Sequence, residues 1–440
     1  MRKTFILGLV LVFALAVVIA GCGSSGQTAT TAAPTTTGPA TSAAPTTAAA
    51  PATTAGPVTT AGETTTAAAG ATTGTIKIGH IRPLTGAMAA TSEEMIKAFD
   101  WAFEQVNYTV AGKKIEIVVG DSKGDAQTAI DVATKMVEKD KVAVVVGPIQ
   151  GGEVMPVAQY MNKVGVPHLT TTQVPVPLTT PDFKWTINAG GTEPMSASAM
   201  ATYAYDTLNM RKVIVLTGDY APGHGFLGDF ETTFKKKGGQ IVQEIFTPVP
   251  TQDFSPYLTS LKQADAVAAW IDGDQAVKLL TQYHEFGIDK KMPIIAASWG
   301  AFIAPYILAA LPPAAADATI GRHYIPTSYS PLTDFAFNQK WVSDFRAKFG
   351  FTPEDTSAGA YLGAQCVIEA LKLTGGDTDP AKLRDALLAV KFDSPFGPVT
   401  FDAATHTRHM DMNICQITKQ GTEYMWKPIF TYKDIPAVGF

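Results

Sequence analysis

The chain has 440 residues with 34 basic and 39 acidic side chains, which give a formal net charge of −5. Its longest run of basic residues is the three lysines at positions 235–237, and the net charge is negative, so the composition argues against nucleic-acid binding. It has 3 cysteines, and the two beyond position 22, Cys366 and Cys415, are too far apart to form a metal-binding spacing. A disulfide between them is one interpretation, and two separate buried thiols are the favoured one.

The first 22 residues have the pattern of an export signal. Arg2 and Lys3 precede an uncharged apolar run over residues 5–19. This run is too short for a membrane span of about 20 residues but fits the apolar region of a secretory signal. Its end, Ile19-Ala20-Gly21-Cys22, resembles the bacterial lipobox. The resemblance implies that residues 1–21 are removed and that Cys22 carries a lipid. A simple secretory signal with an incidental cysteine is the alternative.

Residues 22–74 are predicted to be a tether. After Cys22 they are almost entirely Gly, Ser, Thr, Ala and Pro, with Glu63 as the only charged residue and no aromatic residue. Such a segment has too little apolar surface to offset the entropy of ordering it. With the lipid, it would hold an extracytoplasmic domain close to the cell membrane. Removal of Arg2 and Lys3 leaves 34 − 2 = 32 basic against 39 acidic side chains, a charge near −7.

The remaining residues, 75–440, exceed the size that one hydrophobic core usually serves, so two lobes are expected. Apolar runs alternate with amphipathic stretches in the first part of this region, as in the helical spacing of Met95, Phe99 and Phe103. The predicted strands are 75–81, 115–120, 142–146 and 167–170, and the predicted helices are 93–106, 126–139 and 154–163.

The same alternation starts again after Gly190. Helices are predicted at 194–208, 225–237, 254–263 and 275–286, with strands at 213–217, 240–246, 266–271 and 293–296. Helices at 335–349, 357–374 and 382–390 follow, and then strands at 399–401 and 413–418. This order predicts an α/β protein with two Rossmann-like lobes built from βαβ units. Ligands bind beyond the carboxyl ends of such strands, which places a cleft between the lobes.

Short motifs over the whole of residues 75–440 resemble the type 1 periplasmic binding proteins, in the branched-chain amino acid branch that serves ABC transporters. They are Ile76-Lys77-Ile78-Gly79 leading into Pro83-Leu84-Thr85-Gly86, Asp121-Ser122-Lys123-Gly124-Asp125, Val144-Val145-Val146-Gly147-Pro148, Gly165-Val166-Pro167, Gly218-Asp219-Tyr220-Ala221-Pro222-Gly223, Gly238-Gly239-Gln240-Ile241-Val242 and Asp253-Phe254-Ser255-Pro256. Each motif is weak alone, but their order and spacing make the resemblance specific.

The resemblance implies a clamshell that closes on a small molecule and delivers it to ABC permease and ATPase subunits, with no cofactor and no catalysis. It also implies three crossovers between the lobes, near Ala189, near His323 and near Thr405. The lobes would then comprise residues 75–189 with 324–405, and residues 190–323 with 406–440.

In the first lobe, the candidate ligand site consists of two loops that follow buried strands. Gly151 and Gly152 open a helix, so free backbone N–H groups and the helix dipole can receive a carboxylate. Gln150 precedes them, where related amino acid binders have serines. The next loop, Thr170, Thr171 and Thr172, supplies hydroxyl groups. Arg82, after the first strand, is either a carboxylate ligand or a surface charge.

In the second lobe, the candidate ligand residues are mainly aromatic. Tyr220, Trp270 and Trp299 fall near strand ends, as does Phe302. They favour an amino acid, an aromatic acid or an amide stacked between rings, although core packing is the alternative for each of them. The acidic residue that pairs the ammonium group in related proteins is missing from Ala297-Ser298-Trp299, and Asp272 could replace it.

Three other interpretations come from the residues. A receptor for a membrane signalling system would use the same clamshell. A nicotinamide-dependent enzyme would use Gly223-His224-Gly225-Phe226-Leu227-Gly228 with Glu244, but too many residues separate the preceding strand from the first glycine. His406 and His409 could suggest a metal site, but two histidines in a polar loop are more often solvated.

Overall fold

The computed structural model of the chain describes residues 74–86, 88–271, 273–297 and 304–440. The predicted signal peptide, Cys22 and nearly all of the predicted tether lie outside these residues. Asp272, Trp299 and Phe302 also lie outside them. Within the described residues, no helix combines the length and apolar character that a membrane span requires.

The first lobe is built on a six-stranded sheet. Its strands are β1 (Thr75–Arg82), β2 (Thr109–Val110), β3 (Lys113–Asp121), β4 (Val144–Val146), β5 (His168–Thr170) and β6 (Thr186–Asn188). Their spatial order is β2-β3-β1-β4-β5-β6. The central strand β1 pairs in parallel with β3 and β4, so that Ile78 lies opposite Ile117 and Val144. The parallel pairing agrees with the βαβ prediction.

Three helices connect these strands, namely α1 (Ala89–Glu104), α2 (Ala126–Lys135) and α3 (Gly151–Val164). The Asp125 carboxylate accepts the Thr128 N–H at 2.8 Å and so begins α2 with a capped first turn. A turn of π-helix, Met136–Asp140, continues α2. Gly165, with φ +70°, ends α3 in the left-handed conformation that glycine adopts without strain.

The chain then builds most of the second lobe. Its helices are α4 (Glu193–Asp206), α5 (Ala221–Lys236), α6 (Ser255–Thr259), α7 (Gly273–Glu285), α8 (Pro305–Ala310) and α9 (Pro313–Ala318). Its strands are β7 (Lys212–Gly218), β8 (Gln240–Thr247), β9 (Ala266–Trp270), β10 (Ile294–Ala296) and β11 (Tyr324–Thr327). The helix expected over residues 254–263 is shorter than predicted and covers only α6.

The chain next returns to the first lobe. It forms α10 (Ala336–Phe349), α11 (Asp355–Leu373), α12 (Pro380–Ala389) and the hairpin β12 (Phe392–Ser394) and β13 (Gly397–Val399). Aromatic rings join these helices to α1. The Trp101 ring lies 5.4 Å from that of Tyr361 and 6.3 Å from that of Trp341, centroid to centroid. This cluster covers one face of the first sheet, and α2 and α3 cover the other.

Two final strands, β14 (Met412–Gln420) and β15 (Glu423–Tyr432), complete the second sheet. Its order is β15-β14-β11-β10-β9-β7-β8. Strands β7 to β11 run in parallel, whereas β14 is antiparallel to β11 and β15 is antiparallel to β14. Helices α4 and α5 pack on one face, and α7, α8 and α9 pack on the other.

The crossovers between the sheets define the lobes. The first runs over residues 189–192, between the end of β6 and the start of α4. The predicted boundary between residues 323 and 324 does not match the strand pairing, because β11 belongs to the second sheet and the chain leaves that sheet only after Thr327. In the third crossover, Thr407 forms a parallel β-bridge with Asn188, the last residue of β6, before β14 begins.

Cys366 lies in α11 of the first lobe, and Cys415 lies in β14 of the second sheet. Both are buried free thiols. The favoured interpretation of two separate thiols is therefore confirmed. Burial raises the pKa of the Cys366 thiol to about 12, so this group stays protonated at neutral pH.

Candidate functional site

The loop after β4 presents an open helix end at the carboxyl edge of the first sheet. Gly151 and Gly152 form the first turn of α3, directly after Gln150. Both glycines are exposed, and a β-carbon on either would meet no atom within 4 Å. The first backbone N–H groups of α3 have no partner inside the helix, as at any helix start. This turn can therefore receive an anionic group.

Gln150 lies over the neighbouring loop that follows β3. A β-carbon on Gly124 would lie 2.8 Å from Oε1 of Gln150. Gly124 has φ +72°, a left-handed conformation that glycine adopts without strain. The loop after β3 is tied in turn to the loop after β1, because the Asp121 carboxylate accepts hydrogen bonds from Leu84 N–H at 2.8 Å and from the Thr85 hydroxyl at 2.9 Å. Three loops are thereby held together at this edge.

The three threonines at the end of β5, Thr170, Thr171 and Thr172, do not all point the same way. The Thr170 hydroxyl and the backbone of Thr172 contact each other at 3.4 Å within the loop. The Thr171 side chain is directed at α11, where a β-carbon on Gly363 would lie 2.9 Å from its Cγ2. All three side chains are at most 9% exposed. The loop is at the predicted edge, but the Thr171 side chain packs against a helix.

Arg82 is fully buried, so its interpretation as a surface charge is wrong. Its Nη1 donates to the Ile81 carbonyl at 2.9 Å, and a β-carbon on Gly147 would lie only 2.1 Å from Nη1. Burial lowers the pKa of Arg82 to about 9, and the charge of Glu153 partly opposes this shift. Glu153 lies in the first turn of α3 and is 1% exposed, and burial raises the pKa of its carboxyl group. Arg82 is therefore a buried charge close enough to Glu153 for the two charges to interact.

Two of the four aromatic residues predicted for the second lobe, Tyr220 and Trp270, lie in contact with each other, and the other two lie outside the described residues. Tyr220 lies between β7 and α5, and Trp270 ends β9. Their rings stack with centroids 5.6 Å apart, and the Phe226 ring lies 4.9 Å from that of Trp270. Trp270 is 8% exposed, so most of its ring is core packing, whereas Tyr220 is only partly buried. Tyr220 is therefore the more accessible ring at the carboxyl edge of the second sheet.

Glu193 is a carboxylate at this site that the sequence analysis did not single out. It is the first residue of α4, immediately after the first crossover. Its backbone N–H donates to the carbonyl of Val174, beyond β5, at 3.1 Å. A β-carbon on Gly225 in α5 would lie 3.2 Å from its Oε2. The available signal in the sequence was an acidic residue next to a predicted crossover and directly before Pro194.

The glycines that fit the dinucleotide fingerprint are helical. Gly223, Gly225 and Gly228 all lie within α5, which begins at Ala221. A dinucleotide site needs the first glycine in the turn between strand and helix, where it approaches a pyrophosphate. The structure therefore gives this motif a packing role, in which Gly223 lies against Thr217 and Tyr220.

Two surface cavities lie away from the strand ends described above. One, of about 980 Å³, is on the outer face of the first lobe and includes Trp101, Lys340 and Tyr361. The other, of about 580 Å³, lies beside the C-terminal hairpin and includes Ser328 and Lys427. Neither cavity includes a residue of the loop before α3 or of the loop before α5, so neither is the candidate site.

Comparison with known proteins assigns the family. Residues 75–422 match the family described as periplasmic binding protein. The Leu/Ile/Val-binding protein homolog 6 of Brucella suis is 26% identical over 353 residues, which cover 79% of this chain and 88% of that protein.

Solved structures agree with this assignment. An ABC transporter substrate-binding protein from Sphaerobacter thermophilus is 28% identical, with a TM-score of 0.76 over 83% of this chain and 100% of the other. The solute-binding protein of an ABC transporter from Rhodopseudomonas palustris BisB5, in complex with 3,4-dihydroxybenzoic acid, is also 28% identical, with a TM-score of 0.75 over 82% and 98% of the two chains. The chain therefore belongs to the type 1 periplasmic binding proteins of the branched-chain amino acid family, a family of solute-binding proteins of ABC transporters and not of enzymes.

Proposed function

We propose that the protein is the lipid-anchored substrate-binding component of an ABC importer and that it binds a small carboxylate ligand between its lobes. The ligand would be delivered to permease and ATPase subunits in the membrane. In this proposal the lipid is attached to Cys22, and residues 23–74 supply the reach between the membrane and the binding domain. The lipobox resemblance of residues 19–22 supports the anchor.

The observation that carries the ligand proposal is the open first turn of α3. Gly151 and Gly152 leave empty space where other residues would place side chains, so a carboxylate can approach the free N–H groups. Glu153 of the same turn is buried, and so is Arg82, whose charge interacts with it. Gln150 and the loop of Thr170, Thr171 and Thr172 would border the carboxylate.

The second lobe would supply the apolar part of the site. Tyr220 and Trp270 form a stacked pair at the carboxyl edge of the second sheet, and we assign Asp272 and Trp299 to the same wall of the proposed site from their sequence positions. An aromatic wall opposite an anion site favours an aromatic carboxylic acid. The 3,4-dihydroxybenzoic acid complex of the Rhodopseudomonas palustris relative supports this ligand class.

A thermal-shift screen of the purified protein tests the proposal. The panel contains benzoate, 4-hydroxybenzoate, 3,4-dihydroxybenzoate, leucine and 4-methylpentanoate. A ligand that binds only the folded state stabilises it by about 2.7 kcal/mol when the free ligand concentration is one hundred times Kd. The melting temperature of the protein must therefore rise. We expect the aromatic acids to give the largest rise. If only leucine raises the melting temperature, the ligand is an amino acid and not an aromatic acid. If no compound of the panel raises it, the proposed site is contradicted.

A further inference from the structure

Glu193 lies at the meeting point of the two lobes. It follows the crossover of residues 189–192, and its backbone is fixed to the loop after β5 by the hydrogen bond from its N–H to Val174 O. Val174 N–H in turn donates to Gly191 O at 3.0 Å. The start of α4 is thus held directly beside the loop that contains Thr170, Thr171 and Thr172.

The side chain of Glu193 reaches the helix that adjoins the aromatic pair. Its Oε2 lies 3.2 Å from the position of a β-carbon on Gly225, and its Cδ lies 4.0 Å from it. The next residue, Phe226, contacts Trp270. Glu193 therefore contacts both elements: its backbone N–H bonds to the loop after β5, and its carboxylate lies beside the first turns of α5, where Phe226 contacts Trp270.

This carboxylate has no counter-charge in the part of the chain that the structure describes, and no hydrogen bond to it is formed there. Its charged neighbour is Asp229, one helical turn beyond Gly225, and Asp229 is also an acid. Burial, followed by the charge of Asp229, raises the pKa of Glu193 to about 7. Burial alone raises the pKa of Asp229. A half-buried carboxylate without a hydrogen-bond donor lowers the stability of the folded state, so we expect a functional reason for it.

We propose that Glu193 accepts a hydrogen bond from a hydroxyl or ammonium group of the bound ligand and thereby makes the protein prefer ligands that carry such a donor. This inference rests on the proposed function and adds a specificity-determining residue to the same site. Glu193 is only partly buried, so part of its surface is accessible. Gly225 is part of this arrangement because it has no β-carbon, which leaves room for the Glu193 carboxylate beside α5.

The test uses two pairs of probes that differ only in donors. One pair is 3,4-dihydroxybenzoate and benzoate, and the other is leucine and 4-methylpentanoate. For whichever pair the wild-type protein binds, we expect the member with the donor to bind about tenfold or more tightly, the range for a hydrogen bond to a charged group. Calorimetry on the purified protein measures each Kd.

Two substitutions at Glu193 separate the two kinds of donor. Glu193→Leu removes the acceptor, so the preference should disappear in either pair while the affinity for the donor-free member stays within about threefold. Glu193→Gln keeps a neutral acceptor. It should therefore keep most of the preference for a hydroxyl group and lose most of the preference for an ammonium group.

Two glycine substitutions act on the same helix without changing Glu193. Gly225→Ala places a methyl group against the carboxylate and should reduce the preference. Gly228→Ala is the matched control, because a β-carbon there meets no atom within 4 Å, and it should leave the preference intact. If Glu193→Leu does not fold, the comparison of Gly225→Ala with Gly228→Ala still tests whether the ligand preference depends on the Glu193 carboxylate.

The possible results are distinct. A wild-type preference that persists in both Glu193→Leu and Gly225→Ala overturns the inference, and so does an equal loss of affinity for both members of a pair. Wild-type binding without any preference overturns the role of Glu193 but leaves the proposed function standing. Binding of no probe by the wild-type protein overturns the proposed function, and the assignment of Glu193 with it.

Discussion

The rings of Tyr220 and Trp270 stack with their centroids 5.6 Å apart, and of the two only Tyr220 is appreciably accessible to solvent. Trp270 supports the outer ring from within the second lobe, where Phe226 also contacts it. The accessible ring is therefore held in one orientation by packing. Such a ring can bind an aromatic ligand without first being ordered.

The first prediction concerns this outer ring. Tyr220→Ala should weaken binding of 3,4-dihydroxybenzoate by about tenfold to a hundredfold, since a stacked aromatic anchor contributes ~1–3 kcal/mol. Calorimetry measures the change. Tyr205→Ala is the control, because Tyr205 lies at the far end of α4 and contacts Arg211 instead. Equal affinity in the Tyr220→Ala and wild-type proteins would remove Tyr220 from the site.

The second prediction concerns the open helix start. Gly152→Val should abolish or strongly weaken ligand binding, because the side chain occupies the space in front of the free N–H groups. It should change the melting temperature little, since no atom lies within 4 Å of the new β-carbon. Gly228→Val provides the comparison, as an equally unobstructed glycine in α5. Loss of binding in both variants would point to a general effect on folding.

The third prediction concerns membrane attachment. Cys22→Ser should move the protein from the membrane fraction to the soluble extracytoplasmic fraction, because a serine cannot carry the thioether-linked lipid. Ligand affinity should not change, since the predicted tether adds nothing to the folded core. Fractionation followed by immunoblotting measures the location. A Cys22→Ser protein that stays with the membrane would contradict lipidation.

The fourth prediction concerns the dependence of stability on pH near α11. Burial raises the pKa of Glu354 to about 8, with smaller contributions from Asp355 and Glu94, and the Tyr306 N–H opposes the shift. A carboxyl group with a raised pKa favours the folded state when it is protonated. Its contribution is complete below about pH 4.5, the unfolded value, and it is lost as the pH rises through about 8.

Glu354→Gln should therefore have a melting temperature close to that of the wild-type protein at pH 5 and a higher one at pH 8.5. Differential scanning calorimetry at both pH values measures the two differences. Glu369→Gln is a suitable comparison, because this residue of α11 forms an ion pair with Lys372 at the surface. A difference between the Glu354→Gln and wild-type proteins that is the same at both pH values would contradict a pKa of about 8 for Glu354.

The fold was largely predictable because the buried strands are short apolar runs. The Val144–Val146 strand and the helical spacing of Met95, Phe99 and Phe103 both appear where periodicity placed them. Strand β11 was missed because its four residues, which include Pro326, carry almost no strand pattern, and only pairing with β10 and β14 identifies it. Local sequence cannot report such pairing partners.

The sequence predicted where several candidate residues lie in the fold, but not the direction of every side chain. Tyr220 and Trp270 both lie near strand ends, as predicted, and they meet because β7 and β9 are parallel neighbours in one sheet. Thr171 was expected to offer its hydroxyl, yet its side chain packs near Gly363, because α11 arrives from almost 200 residues later in the chain. Glu193 was overlooked for a similar reason, since its neighbour Gly225 belongs to a different helix.

The position of β14 and β15 in the second sheet also affects the order in which the lobes can form. The six strands of the first sheet all lie within residues 75–188, whereas β11 receives its partner β14 only from residues 412–420. A chain that emerges from an export channel with its N-terminus first would expose the edge of β11 until its last thirty residues arrive. Unpaired edges of this kind associate readily with other strands. The second sheet is therefore complete only when the C-terminal hairpin covers the free edge of β11.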